Sequence, residues 1–144
     1  MAAPSSPVER LARLRAPSAA DLAAIGARIL EGLPAEIRSL VGMVPIRVED
    51  WPDEDALAWT ECEDPLDLTG LYRAVPIAER HAQALPPSEP EMIFLYRMPI
   101  LVEWAERGCA LEEVVFDVLT HEIAHHLGMD ETAALRLEGR DDPS

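Results

Sequence analysis

A chain of 144 residues, 49% hydrophobic and 27% charged, carries enough apolar surface for one modest core and too much for disorder. Its net charge of −15, from 27 acidic residues against 12 Arg and no Lys, excludes the basic face that a phosphate backbone requires, so no nucleic-acid partner is expected. The longest apolar run, Met92 to Val102, is cut by Arg97 and Pro99 and falls short of a bilayer span, so no membrane partner is expected either.

Taken in chain order, residues 1–16 read as a flexible lead-in, with Pro4, Ser5, Ser6 and Pro7 and no apolar signal-peptide core. Residues 17–144 read as a single domain. Ser18 is a helix cap, and Leu22, Ile25, Ile29 and Leu30 give the stripe of a helix from Ala19 to Glu31 that Gly32 ends. Pro34 opens a short second helix through Leu40, closed by Gly42. Val44 to Val48 reads as a strand. Nine acidic residues then fall between Arg47 and Arg73 without a basic one. They lack the spacing and glycine of a calcium loop and read as a solvated loop around a short strand near Leu57–Thr60. Gly70 to Val75 and Met92 to Tyr96 are two further strands, separated by a proline-rich loop from His81 to Pro90. A helix from Pro99 to Arg107, closed by Gly108, precedes a last long helix from Ala110 to Leu127. Cys62 and Cys109 stand far apart with no C-x-x-C spacing and read as reduced thiols of a cytoplasmic protein.

The chemistry is concentrated in the last helix, where residues 121–131 read His-Glu-Ile-Ala-His-His-Leu-Gly-Met-Asp-Glu. His121 and His125 are four apart, one helical turn, so both imidazoles reach one metal ion. Glu122 sits about 100° around the helix from His121, beside the metal rather than on it. From there a carboxylate takes the proton of a zinc-bound water, which is the arrangement for metal-assisted amide hydrolysis. H-E-x-x-H alone occurs by chance, but three of the chain's four histidines lie within this stretch and the preceding residues are helical.

Projected on a helical wheel, Val114, Val118, His121 and His125 share one side, and Val115, Phe116, Leu119, Ile123 and Leu127 cover an adjoining broad face. Glu113, Asp117, Thr120 and Ala124 form a narrow wedge expected to meet water. His126 points away from His121, between Glu122 and the apolar face, and reads as a supporting residue rather than a ligand.

A catalytic zinc takes three protein ligands and leaves a fourth position for water. Gly128 is placed to turn the chain back toward the metal. Glu131 lies ten residues after His121, the third-ligand position of metzincin-type sites, and is the first candidate. Asp130 is the alternative, and Glu138 is a third, more distant one. Asp130 also suits the cap of a closing helix through Leu137, which leaves the two readings able to divide the pair. An oxyanion donor is needed as well, and Tyr72, Arg80, His81 and Tyr96 are the candidates. The strand from Ile93 to Tyr96 is the expected partner for an extended peptide along the cleft.

Three segments, 68–80, 93–100 and 121–131, give the chain a resemblance to the minimal zincins, a family of small bacterial zinc metallopeptidases with an extended H-E-x-x-H motif. With the acidic segment before them they cover roughly residues 40–138. The resemblance implies a compact α+β domain: a small mixed sheet of about three to four strands packed against the motif helix, with N-terminal helices. It implies one zinc ion on His121 and His125, with Glu122 as the base. The family pattern carries Asp where this chain has Glu131, whose extra methylene moves the carboxylate.

The function expected is therefore hydrolysis of peptide bonds in a peptide or protein substrate through a zinc-activated water. The alternative is a non-catalytic zinc-binding or acidic protein-interaction module with a vestigial site. Glu122 has no use as a structural ligand, which favours the enzyme; the small size of the domain favours the module.

Overall fold

A computed structural model describes residues 6–41, 44–74 and 91–127. Within the N-terminal lead-in, α1 (Pro7–Ala12) is a short helix capped by the Ser6 hydroxyl, and none of its residues is buried. α2 (Ala19–Glu31) starts where expected: Ser18 Oγ accepts from Asp21 N–H at 3.1 Å while Asp21 accepts from Ser18 N–H at 2.8 Å, a reciprocal capping box. α3 (Ala35–Val41) follows, and the predicted stop at Gly42 lies outside the described residues.

β1 (Ile46–Glu49) leads into the acidic segment, where the structure corrects the sequence reading. No strand forms near Leu57–Thr60; residues Glu54–Thr60 are a helix, α4. Asp53 supplies the reason, since its carboxylate accepts from Ala56 N–H at 2.7 Å, and Glu54 and Asp55 favour the positive end of the helix dipole. Glu61 closes α4 in the left-handed region at φ 56°, and a single 3₁₀ turn, Pro65–Asp67, leads to β2 (Gly70–Ala74). β3 (Glu91–Tyr96) runs directly into α5 (Arg97–Arg107), which Gly108 ends at φ 64°. α6 (Leu111–His126) carries the motif, and Glu113 reaches back to Ala110 N–H at 2.8 Å to seal its first turn.

The sheet has three strands in the order β1-β3-β2, parallel between β1 and β3 and antiparallel between β3 and β2. The fold is thus α+β with a small mixed sheet, as the sequence implied. The strand expected to lie along the cleft is the central one: β3 is paired on both sides, Ile46 with Ile93 and Tyr72 with Ile93, and has no free edge for a peptide. β2 is the edge strand beside α6.

Residues of one strand alternate between the two faces of the sheet. Ile46, Tyr72, Ile93 and Leu95 join Leu22, Val114, Val118, Leu119 and Ile123 in the main core between the sheet and α2 and α6. Leu71 and Tyr96 point to the other face, where Ala56 of α4 and Leu68 cover them. Burying side chains of this size stabilises by roughly 1.5–3 kcal/mol each. The wedge of α6 expected to meet water does so only in part: Thr120 and Ala124 have no exposed surface, and the half-buried Asp117 is bound by Arg107 of α5 at 2.9 Å. Only Glu113 of that set is exposed.

Gly70 sets how near α6 comes to the sheet. A Cβ built there would lie 2.5 Å from Val118 Cγ1 and 3.1 Å from the Phe94 carbonyl oxygen. Neither neighbour yields, because the valine rotamer is stiff in a helix and the oxygen is in the ladder. Gly70→Ala should therefore destabilise the fold by about 1–3 kcal/mol, read as a lower urea midpoint at unchanged slope.

Candidate metal centre

The last two turns of α6 bring His121, Glu122, His125 and His126 to the edge of β2. His121 and His125 are exposed, with ring centroids 4.3 Å apart and planes tilted by 55°. Two nitrogens on one tetrahedral zinc ion, each at about 2.0–2.1 Å from it, place the ring centroids about 5 Å apart, which this pair reaches by a modest rotation of its exposed rings. The pair therefore fits half of a tetrahedral zinc site, with imidazole donors of the right hardness. Among the described residues no group of three or more His, Cys, Asp or Glu converges as a metal site. The third-ligand candidates Glu131, Asp130 and Glu138 lie outside the described residues, as do Gly128, Arg80 and His81.

Glu122 is turned inward, between α6 and β2. One of its carboxylate oxygens accepts from Tyr72 N–H at 3.4 Å. That amide is available because of the ladder's alternation. Tyr96 N–H donates to Thr69 C=O at 2.9 Å, so Leu71 and Arg73, two and four residues on, also face β3, while Gly70, Tyr72 and Ala74 face outward. Burial pushes the Glu122 carboxyl above the usual carboxylate range, with neighbouring His121 and the Tyr72 amide pulling the other way. A raised carboxyl next to a histidine pair of this spacing is the setting for a general base.

A cleft of about 250 Å³ opens beside these groups, lined by Thr69, Val118, His121 and Glu122 on one side and by Glu103, Arg107 and Asp117 on the other. The Arg107 guanidinium is held by Glu103 at 3.1 Å and by Asp117 at 2.9 Å, which clamps α5 to α6 at the cleft wall.

The two oxyanion candidates that are described are both committed elsewhere. The Tyr72 hydroxyl donates to Glu91 at 3.0 Å, and burial and that carboxylate raise its pKa. Tyr96 is 3% exposed on the opposite face of the sheet, where burial pushes its phenol up to about 12. His126, as expected, turns away from the histidine pair. Its ring stacks on Tyr72 with centroids 3.8 Å apart and an interplanar angle of 15°, and its Nε2 lies 3.2 Å from Glu91.

Sequence reasoning missed the edge strand's place in the site. The signal was present: Met92-Ile93-Phe94-Leu95-Tyr96 is apolar throughout, the pattern of a strand with neighbours on both sides, whereas 70–74 is interrupted by Gly70 and Arg73. Nothing in the sequence marked Glu91 or the Arg107–Asp117 pair.

The shifted Glu122 carboxyl has a sign that can be checked in the metal-free protein. Its folded pKa lies above its unfolded one, so the folded state binds more protons and loses stability as pH rises through the raised value. Glu122→Gln keeps an acceptor for Tyr72 and removes the half-buried charge. The variant should melt above wild type at about pH 7, and the gap should narrow as pH falls through the raised value and vanish only below the unfolded glutamate pKa of about 4.3. A gap independent of pH would contradict the burial argument.

Compared with known proteins, residues 41–140 match the model of a family described as zincin-like metallopeptidases. No curated protein matches the chain.

Proposed function

Because the chain belongs to the zincin-like metallopeptidase family, we propose that it hydrolyses peptide bonds with one zinc ion held by His121, His125 and a third ligand supplied by Glu131, with Asp130 the alternative. The observation that carries the reading is the placement of Glu122. Its carboxylate is half-buried beside the exposed histidine pair and accepts from the Tyr72 amide at the edge of β2.

Zinc bound there supplies the Lewis acidity that makes water a nucleophile near neutral pH and polarises a carbonyl. Glu122 accepts the proton of the attacking water and delivers it to the leaving amine, a task its raised pKa suits. The outward-facing backbone of Gly70 and Ala74, with the Tyr72 carbonyl, offers an extended peptide a strand to pair with while the Tyr72 N–H stays on Glu122, which fixes the scissile bond relative to the histidines. The cleft walled by Glu103, Arg107 and Asp117 holds one substrate side chain. Among the described residues no helix is long and apolar enough to cross a membrane, and the free thiols of Cys62 and Cys109 accord with a cytoplasmic location.

The test is zinc content after dialysis together with a peptide-library digest. Wild type should carry close to one zinc per chain, His125→Ala none, and Glu122→Gln as much as wild type. Glu122→Gln should lower hydrolysis by about 10²–10⁴-fold. Full activity in that variant would sink the mechanism. Zinc without turnover on any peptide would favour a non-catalytic zinc module, and no zinc even after reloading would favour an acidic interaction protein.

A further inference from the structure

His126 is neither ligand nor base in the proposed mechanism, yet its ring stacks on a residue of the sheet, Tyr72. It stands one turn after Glu122, so the two share a face of α6. Tyr72 spans both positions: its backbone N–H meets Glu122 at 3.4 Å and its ring lies flat on His126 at 3.8 Å. Glu91, across from Ala74 on β3, closes the group. One carboxylate oxygen accepts the Tyr72 hydroxyl at 3.0 Å and the other lies 3.2 Å from His126 Nε2.

We propose that His126 is a positioning residue: with Glu91 it latches Tyr72 to the last turn of α6 and so aims the Tyr72 amide at Glu122. Three features point this way. The Tyr72 amide faces off the sheet edge, so the ladder does not fix its partner. At 3.4 Å the bond to Glu122 is long, and a small drift of the strand would lose it. The end of a helix is where fraying begins, and the stacked ring and the 3.2 Å approach to Glu91 hold the turn that also carries His125. The contact itself is independent of enzymatic activity, whereas its consequence for turnover rests on the metallopeptidase reading.

Amide hydrogen exchange, measured by NMR on the zinc-loaded full chain, separates a latch from ordinary packing. Leu71 and Arg73 donate into the ladder and report the strand; Tyr72 reports the latch. In His126→Ala, Tyr72 should exchange at least about tenfold faster while Leu71 and Arg73 stay at wild-type rates. His126→Phe, which keeps a ring but loses the bond to Glu91, should fall between. Tyr72→Phe removes only the hydroxyl and serves if His126→Ala does not fold; it should speed Tyr72-position exchange severalfold. Wild-type exchange at position 72 in these variants overturns the proposal. So does a joint rise at 71, 72 and 73, which would make His126 a general stabiliser. In a peptide assay, His126→Ala should keep its zinc and lose mainly kcat rather than raise KM. If wild type cleaves no peptide, the metallopeptidase reading fails, and the exchange data still decide the latch.

Discussion

The close approach of α6 to the β2 edge is the constraint on which the rest depends. It exists because position 70 has no side chain: Val118 occupies the space a Cβ would need. At that separation, a helix whose apolar face is already buried brings the next turn's Glu122 within reach of a strand amide. A helix one methyl group further out would leave the carboxylate in water, with neither its raised pKa nor its bond to Tyr72. Packing at one glycine thus governs the electrostatics of the candidate base.

Much of this was legible in the chain. The motif, its helical setting, the Ser18 cap, the Gly32 and Gly108 stops and the three strands follow from periodicity and turn chemistry. What escaped has physical reasons. The helix at Glu54–Thr60 is too short to show a period, and Asp53 reads as one more acid in an acidic run until its carboxylate is seen on Ala56 N–H. Which strand lies at the edge depends on pairing between segments far apart in sequence, and only the unbroken apolar character of 92–96 hinted at it. Glu91 was hidden at the end of a proline-rich stretch, because its role comes from lying across the ladder from Ala74 and near a helix end thirty-five positions on. Of the candidate site, the histidine pair and Glu122 were readable, and the strand that completes their surroundings was not.

The excess of acid also finds uses that a net charge does not reveal. With few basic residues to pair with, carboxylates serve backbone amides instead: Asp21, Asp53, Asp64 and Glu113 each accept from an N–H at or near the start of a helical turn. Such caps span two or three residues and are worth about 1 kcal/mol each. The Arg residues go to a few joints, as where Arg97 reaches the Pro17 carbonyl at 2.6 Å and Asp50 at 3.4 Å, joining the start of α5 to the chain ahead of α2 and to the end of β1.

The strand order has a consequence for how the molecule assembles. β1 and β2 are both made before β3, yet neither touches the other; each pairs only with β3. A nascent chain therefore holds two unpaired strands until residue 96 has emerged, and the parallel pairing of Ile46 with Ile93 must then close a long loop. The motif helix follows almost at once. Only residues 97–120 separate the last strand from the histidine pair, so the histidines spend little time as unstructured donors before the sheet they pack beside is complete.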